Sequence, residues 1–171
     1  MINKFQYQYH ILLILFQIII KIININSQSK SDEIECSVCN HRITNSIFLI
    51  DQPTSTSITT KYDFRFNKNI LIHTFKNPNG IKFQVITSKK ANLTCEEYVF
   101  EEHSFFKFYK WRICYCPICG THHGWQFSPS DRLCEKEKNM NKTECNAKKK
   151  FYGIVTTRLK DPEITGEKYE L

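Results

Sequence analysis

The sequence lacks several features that mark common classes of protein. No basic stripe interleaved with aromatic residues runs along it, so nucleic-acid binding is not indicated, although the formal net charge is +7. There are no internal repeats, and beyond the N-terminal apolar run no segment shows the 3.6-residue apolar period of an amphipathic helix. The expected fold class is therefore all-β, with many short strands and polar loops.

The N-terminus has the pattern of a secretory signal peptide, which we assign to residues 1–27. Lys4 precedes an apolar run from Ile11 to Ile20, and small polar residues follow. Lys21 keeps this run shorter than the ~20 residues that span a bilayer. A retained anchor, with Lys21 reaching back to the membrane surface, is the alternative. Residues 28–34 are expected to form a polar linker.

Two distant Cys-x-x-Cys pairs, Cys36/Cys39 and Cys116/Cys119, predict a metal site. Four thiolates are what a structural tetrahedral zinc ion binds. Because the pairs lie far apart, the ion would join two segments rather than close a local finger. We expect one structural Zn²⁺ whose removal loosens or unfolds the domain.

Four cysteines remain, which are Cys95, Cys114, Cys134 and Cys145. An even remainder suits two disulfides in an oxidising compartment. A bridge from Cys134 to Cys145 would close a short charged stretch, and Cys95 with Cys114 would then tie neighbouring strands. The sequence alone does not decide this connectivity.

Further signals point to the secretory pathway. Asn92-Leu93-Thr94 and Asn141-Lys142-Thr143 are N-glycosylation sequons. The C-terminal tail, 161–171, ends in Lys168-Tyr169-Glu170-Leu171, which is similar to the Lys-Asp-Glu-Leu retrieval signal. We therefore expect a secreted protein or a resident of the ER lumen.

Strand signals fill the region between and around the cysteine pairs. Ile70–Phe75 and Ile81–Thr87 flank Asn77-Pro78-Asn79-Gly80, a strong hairpin signal in which Asn77 is most simply a turn former. Gln52–Lys61 resembles a loop, and Ser130–Lys149 a charged insertion. Further strands are expected at Ile47–Ile50, Tyr98–Phe100, Phe108–Tyr115, Gly124–Ser128 and Phe151–Leu159.

Aromatic side chains gather around the second cysteine pair. Both tryptophans of the chain, Trp111 and Trp125, flank it, and strand alternation places Trp125 and Phe127 on one face. With Phe105 they would wall a pocket for a flat or cationic ligand, and His103 could form a hydrogen bond at its floor. The alternative is that these aromatic residues belong to an ordinary core.

His122 and His123 follow the second cysteine pair directly. Four thiolates already fill a tetrahedral site, so these histidines are expected to support the site or the fold rather than to bind the ion.

Taken in order, these residues resemble the CULT domain, the cereblon-type thalidomide-binding domain, which also occurs alone in secreted proteins. The resemblance runs in one register from Cys36 to Leu159 and places the domain at 35–160. Its most specific parts are Asn77-Pro78-Asn79-Gly80, Glu102-His103-Ser104-Phe105-Phe106, Trp111, Cys116-Pro117-Ile118-Cys119, His122-x-Gly124-Trp125-x-Phe127 and Phe151-Tyr152-Gly153.

The resemblance implies a β-tent fold, in which two antiparallel sheets meet at an angle and are pinned by zinc. This fold is related to those of methionine sulfoxide reductase B and Yippee-type proteins. It implies zinc ligation by Cys36, Cys39, Cys116 and Cys119. The cereblon regions that join a ubiquitin-ligase complex have no counterpart, so no such complex is expected.

In the family, three tryptophans form a cage around a glutarimide or similar imide. The resemblance places Phe105, Trp111 and Trp125 at these positions, with Phe127 behind them. His103 matches the residue that hydrogen-bonds the imide, and Asn77 matches an asparagine at the cage mouth. Phe105 departs from the family pattern, because the family cage has a tryptophan at this position. Phenylalanine keeps an apolar wall but offers less contact area, so a lower affinity and a different preferred ligand are expected.

The expected function is non-enzymatic binding of a cyclic imide, a uracil-like compound or a modified peptide end by a monomer. One alternative is a structural zinc-ribbon-like module that binds other proteins. Another is a methionine sulfoxide reductase-like enzyme, which would need a nucleophilic cysteine on a late strand. The corresponding stretch, Phe151–Thr157, contains no cysteine.

Overall fold

A computed structural model describes residues 4–31, 33–66, 68–135 and 141–160. The chain divides into two units, Met1–Asp32 and Glu33–Leu171. The first contains one helix, α1, Lys4–Ser31, which continues through residues where a polar linker was expected. Among the described residues, no helix has both the length and the apolar character that crossing a membrane requires. The predicted tail, 161–171, lies outside the described residues.

The second unit consists mainly of antiparallel strands. Strands β1 to β10 are, in order, Glu33–Glu35, Arg42–Asn45, Leu49–Ile50, Thr59–Arg65, Lys68–Lys76, Lys82–Ser88, Thr94–Cys95, Tyr109–Tyr115, His122–Pro129 and Phe151–Val155. The first two form a two-stranded sheet. The others form an eight-stranded sheet in the order β4-β5-β6-β10-β9-β8-β7, with β3 paired to the end of β6 that β5 leaves free. This mostly β architecture with two antiparallel sheets confirms the predicted fold class.

The hairpin predicted from Asn77-Pro78-Asn79-Gly80 is confirmed. It joins β5 to β6, and Gly80 has a φ of 85°, in the left-handed region that glycine tolerates. The Asn77 side chain accepts a hydrogen bond from the Ile81 amide at 2.8 Å, and the Asn77 carbonyl accepts one from Gly80 at 2.9 Å. Asn77 therefore forms the turn, as expected from the sequence.

Several strand boundaries differ from the prediction. The segment expected as a strand at Ile47–Ile50 begins as a 3₁₀ turn, because the Asn45 side chain accepts a hydrogen bond from the Ile47 amide. Only Leu49 and Ile50 are extended. Strand β4 starts at Thr59, inside the segment predicted as a loop. Tyr98–Phe100 provides only an isolated bridge, from Phe100 to Trp111.

The charged insertion contains two short helices that the sequence did not predict. These are α2, Asp131–Glu135, and α3, Lys142–Lys149. Asn141 caps α3 by accepting a hydrogen bond from the Glu144 amide at 2.9 Å, and a disulfide ties the two helices together. The expectation of no helix was wrong here because a cap and a covalent bridge, rather than an apolar stripe, stabilise the helices.

The two faces of the large sheet carry different buried clusters. One, here called the aliphatic core, consists mainly of isoleucine and leucine with two cysteines: Ile34, Cys36, Ile43, Leu49, Phe66, Ile70, Ile72, Ile86, Cys116, Ile154 and Leu159. The other, here called the aromatic core, contains Phe75, Val85, Phe106, Trp125, Phe127, Phe151 and Val155. Consecutive strand residues point to opposite faces, which is why Ile154 and Val155 belong to different cores.

Candidate functional site

The two cysteine pairs form backbone loops with the same hydrogen-bonding pattern. In the first, the Asn40 amide donates to the Cys36 carbonyl at 3.0 Å, and the Cys36 amide donates to the His41 carbonyl at 2.8 Å. In the second, Gly120 and Cys116 donate the corresponding bonds at the same distances. Asn40 and Gly120 both have positive φ, 57° and 71°, which their residue types tolerate. The shared pattern directs both cysteine side chains of each loop toward a common point.

The four sulfur atoms meet as a compact cluster of Cys36, Cys39, Cys116 and Cys119, with all ligand atoms within 4.8 Å of one another. Cys36 Sγ lies 3.7 Å from Cys119 Sγ, and Cys39 Sγ lies 3.5 Å from Cys116 Sγ. A tetrahedral zinc ion with Zn–S bonds of about 2.3 Å sets its sulfurs roughly 3.8 Å apart. The donor set and its spacing therefore fit one structural zinc ion, as the sequence predicted.

The acidities of the thiols show why the cluster suits a cation. Hydrogen bonds from the Thr121 side chain and backbone lower the pKa of Cys119 to about 6. For Cys39, a backbone hydrogen bond at His41 lowers the pKa, but burial and the neighbouring thiols outweigh it and raise the pKa to about 12. Once Cys119 is ionised, its negative charge makes ionisation of Cys39 harder. A bound Zn²⁺ would supply the positive charge that lets all four ionise together.

The other four cysteines form two disulfides, Cys95–Cys114 and Cys134–Cys145. These are the pairings considered from the sequence. The first joins the short edge strand β7 to β8, where the two residues are direct partners. Every cysteine of the chain therefore belongs either to a disulfide or to the four-thiol cluster.

An apolar cavity of about 470 Å³ opens on the aromatic face of the sheet. It is lined by Asn77, Pro78, Phe83, His103, Phe105, Trp111, Ile113, Tyr115, His122, Trp125 and Phe127. The six residues singled out from the sequence as ligand-binding candidates, Asn77, His103, Phe105, Trp111, Trp125 and Phe127, are all among them. The volume is within the range of small-molecule sites, about 300–1,000 Å³.

The register of β8 and β9 builds the cavity floor. Trp111 lies opposite Phe127 and Ile113 opposite Trp125, so alternate residues of the two strands present four apolar side chains to one face. Trp125 is 8% exposed and forms the floor of the cavity, whereas Phe127 is 1% exposed and packs behind that floor. This arrangement agrees with the strand alternation seen in the sequence.

A glycine on the neighbouring strand makes room for this floor. Gly153 of β10 is the direct partner of Trp125, and a Cβ there would lie 2.8 Å from Phe127 Cε2 and 3.1 Å from Val85 Cγ1. Both distances are too short for a relaxed contact. The absence of a side chain at position 153 therefore permits the Phe127 ring to pack under the cavity.

A loop held by polar contacts supplies the opposite wall. The Trp111 indole N–H donates to the Glu102 carbonyl at 2.8 Å, which fastens the loop to β8 beside His103. Farther along, the Phe105 carbonyl accepts hydrogen bonds from the hydroxyls of Thr54, at 2.8 Å, and Thr56. Trp111 thus has a double role, because its ring lines the cavity while its N–H holds the loop in place.

Phe105 packs tightly although it is smaller than a tryptophan. Its ring stacks on Phe75, with 4.4 Å between centroids and 2° between planes, and it meets Trp125 edge to face at 5.2 Å. Phe83 also meets Trp125 edge to face at 5.2 Å. The cavity is therefore walled by two indole rings and several phenyl rings in contact with one another.

Few polar groups face the cavity, and none of its lining residues is Asp, Glu, Lys or Arg. Within the described part of the chain, the Trp125 indole N–H and the His103 imidazole make no hydrogen bond, and the Asn77 side chain uses only its Oδ1 atom. Burial lowers the pKa of His122 below its usual value and outweighs the hydrogen bond to the Gly124 carbonyl, which raises it, so the neutral form of this wall residue is favoured at pH 7. The cavity therefore suits a neutral, flat molecule with a few carbonyl or N–H groups.

The structure adds lining residues that the sequence analysis missed, chiefly Phe83, Ile113, Tyr115 and His122. Tyr115 and Ile113 continue the alternation that begins at Trp111, which is a signal in the sequence. His122 could not be found that way. Cys114 pairs with Gly124, but the register between β8 and β9 then shifts, so that Tyr115 pairs with His122. This shift brings His122 to the face of the sheet that lines the cavity.

Comparison with known proteins places this site in context. No family model matches the chain. Over 107 residues, 61% of the chain, it is 33% identical to cereblon from Gallus gallus, and over 76 residues it is 34% identical to cereblon from Xenopus tropicalis. The matched regions span 21% and 17% of these relatives, so the chain corresponds to about a fifth of their length.

Proposed function

We propose that this chain, which carries a cereblon-type (CULT) domain with a four-cysteine site for one structural zinc ion, binds small neutral molecules through a cyclic imide or uracil-like group. The observation that carries the proposal is the convergence of Phe105, Trp111 and Trp125 on one uncharged apolar cavity. Modified peptide ends that form such a ring belong to the same chemical class.

The free polar groups match the edge of an imide. A cyclic imide offers two carbonyl acceptors on either side of one N–H donor. The Trp125 indole N–H and the Asn77 amide can donate to carbonyls, and the His103 imidazole can donate or accept. Apolar ring faces would then lie against Trp111 and Phe105. A cation would find aromatic faces but no carboxylate among the lining residues, which favours a neutral ligand.

Titration of tryptophan fluorescence with thalidomide tests this proposal on the zinc-loaded protein. Both tryptophans of the chain line the cavity, so saturable quenching is expected. Trp111→Ala should weaken binding at least about tenfold through lost ring contact. Phe105→Trp should tighten it several-fold, because the larger ring covers more of the ligand. Phe64→Ala changes an aromatic residue outside the cavity and should leave the titration unchanged.

Methylation of the ligand supplies the chemical control. N-methylated thalidomide keeps the rings and carbonyl groups of the parent but carries a methyl group in place of the imide hydrogen, so it lacks the N–H donor. We expect it to bind much more weakly. Equal quenching by both compounds would contradict imide recognition, and a flat titration with a folded, zinc-loaded protein would reject the proposal altogether.

A binding role also accounts better for the cysteines than an enzymatic one. A thiol-dependent sulfoxide reductase needs a free nucleophilic cysteine, and all eight cysteines are committed to two disulfides and the metal cluster. The late strand β10, Phe151–Val155, contains none. Turnover of a methionine sulfoxide substrate would refute this part of the proposal. A purely structural module, as the alternative, would bind none of the imides.

We also propose that the domain works in the secretory pathway as a secreted or ER-lumenal protein. Two disulfides suit an oxidising compartment, and both sequon asparagines, Asn92 and Asn141, are exposed. On expression in eukaryotic cells, N-glycosidase treatment should lower the apparent mass. Asn92→Gln and Asn141→Gln should each remove part of that shift, whereas a mass insensitive to the glycosidase in a cytosolic fraction would contradict this localisation.

A further inference from the structure

We propose that two copies of this chain associate through the outer edge of β4, Thr59–Arg65, as an antiparallel pair centred on Tyr62. The expectation from sequence was a monomer, and the proposal departs from it because of three properties of this strand. These are an open backbone edge, a pattern of charges that complements itself in one register only, and exposed aromatic side chains. None of them involves the ligand cavity.

The two edges of the large sheet differ in length and protection. β7, Thr94–Cys95, ends one side and is only two residues long, with a disulfide to its neighbour. β4 ends the other side with seven residues, most of them exposed, and within the described part of the chain it pairs only with β5. A long open edge presents unpaired amides and carbonyls to which another strand can add.

The β4–β5 hairpin determines which backbone groups face outward. Arg65 is the last residue of β4 to pair with β5, and its partner is Lys68, three positions on in the sequence. A closing pair with this spacing bonds inward. Alternation then directs the backbone of Thr59, Lys61 and Asp63 to β5. At the other end of the hairpin, the Thr74 carbonyl accepts a hydrogen bond from the Ile58 amide, so the backbone of Thr74 faces β4 as this alternation requires. The outward amides and carbonyls are therefore those of Thr60, Tyr62 and Phe64.

Charge then selects one register for a second copy. Only outward residues can bond each other, so an antiparallel self-pair must be centred on position 61, 62 or 63. Centring on Lys61 opposes two lysines, and centring on Asp63 opposes two aspartates. Centring on Tyr62 places Lys61 of each copy opposite Asp63 of the other, and opposite charges across strands are favourable. This register also pairs every outward backbone group from Thr60 to Phe64.

The same register covers the exposed aromatic side chains. Tyr62 is 58% exposed and Phe64 is 71% exposed, although both lie in a regular strand. Centred on Tyr62, the two copies would place Tyr62 opposite Tyr62 and each Phe64 opposite Thr60 of the other copy, with all four rings on one face. The central cross-strand aromatic pair stabilises such a sheet. The pairing would bury part of the apolar surface that the single chain leaves in water.

Charged edge strands often prevent pairing, and that is the simpler interpretation of Lys61 and Asp63. A protective edge normally carries like charges, which repel a second copy in every register. Here the alternating signs repel in two registers and attract in the third. The interface is small, so we expect a weak dimer with a dissociation constant of roughly 10 μM to 1 mM.

Sedimentation of the full chain over a concentration series tests the proposal. In Lys61→Asp the acidic residues 61 and 63 of the two copies lie opposite each other and repel. In Asp63→Lys the basic residues at these positions repel in the same way. Each variant should therefore lose at least tenfold in self-affinity. The double variant K61D/D63K restores opposite charges across the interface and should regain most of the lost self-affinity, although it lacks the ion pair that Asp63 forms with Arg65 at 3.2 Å within each copy. A mixture of the two single variants should form a mixed dimer, which shows that both remain folded.

Several outcomes would overturn this inference. A wild-type chain that stays monomeric up to about 1 mM excludes the dimer, given the expected range. A dimer that persists in both single variants uses another surface. Failure of the mixed sample to associate would mean that the charges do not act across the interface. The cavity lies mainly on β8 and β9, which are not neighbours of β4, so imide titration should give the same affinity for all variants. A failure of the dimer proposal can therefore be distinguished from a failure of the imide proposal.

Discussion

On one face of the eight-stranded sheet the buried side chains are mostly aliphatic and surround Cys36 and Cys116, whereas on the other face they are mostly aromatic and open into a cavity. The aliphatic core is closed by a four-thiol cluster that joins distant segments. The aromatic core ends in partly exposed rings such as Trp111 and Phe105. We infer that one face mainly stabilises the domain and the other mainly provides a binding surface.

The largest expected effect comes from removing a metal ligand on the aliphatic face. Cys116→Ser should abolish zinc binding and unfold the domain, because structural zinc contributes about 10–16 kcal/mol and whole domains have only about 5–15 kcal/mol of stability. Near-UV circular dichroism and metal content measure this. Tyr98→Phe, a conservative change at an exposed residue outside the cluster, is the control. Native near-UV signal in a zinc-free variant would show that the aromatic core folds without the metal.

Acid should weaken the protein next most strongly, through His123. This side chain is fully buried with both ring nitrogens unpartnered within the described residues, and burial, followed by the charges of His122, Arg158 and His41, lowers its pKa to about 4. Between about pH 6.5 and pH 4, His123 is therefore protonated in the unfolded state but neutral in the folded state. Stability should therefore fall as the pH falls through this window, by up to about 3 kcal/mol.

The variant His123→Leu isolates this contribution from acid loss of the metal. Denaturant unfolding of both proteins at each pH gives the difference in unfolding free energy. That difference should change between pH 7 and pH 4 if His123 titrates, with the wild type losing more stability. A constant difference across the range would mean that the imidazole is not held neutral by burial.

The sequence predicts the metal side better than the cavity side for a physical reason. Cys-x-x-Cys spacing is local, so Cys36/Cys39 and Cys116/Cys119 are visible without knowledge of the fold, and the hairpin at Asn77 is equally local. Strand alternation also places Trp125 and Phe127 on one face. The closing of the cavity by His122 depends on a register shift between two strands, and no single-strand pattern contains that shift.

Missed elements follow the same logic. β4 begins in a stretch rich in serine and threonine that resembles a loop, and pairing with β5 rather than local preference makes it a strand. The helices of the insertion form without an apolar stripe because the disulfide Cys134–Cys145 holds them. Elements that are stabilised by distant partners or covalent bridges carry little local signal, whereas elements with their own turn or spacing carry a strong one.

A moderate effect is expected when a methyl group is added to the aromatic face. Gly153→Ala places a Cβ 2.8 Å from the Phe127 ring, so the ring or the strand must shift. Overpacking of this kind costs about 1–3 kcal/mol. Because Phe127 backs the cavity, the same change should also weaken imide binding. Thermal unfolding and fluorescence titration measure the two losses, and a variant with wild-type values for both would show that the floor is less tightly packed.

The smallest effect should come from the matching glycine on the metal side, Gly120→Asn. A Cβ at Gly120 meets no atom within 4 Å, and its φ of 71° is close to the 57° that Asn40 adopts in the other cysteine loop. Asparagine tolerates this left-handed conformation better than other non-glycine residues, so the loss should stay below about 1 kcal/mol. Zinc affinity should also be preserved, because the backbone hydrogen bonds of the two loops are equivalent. Gly120→Val, which cannot adopt this conformation without strain, should cost more than the asparagine variant. Equal losses for both would mean that the two cysteine loops are not interchangeable and that the second one depends on glycine for a reason other than its conformation.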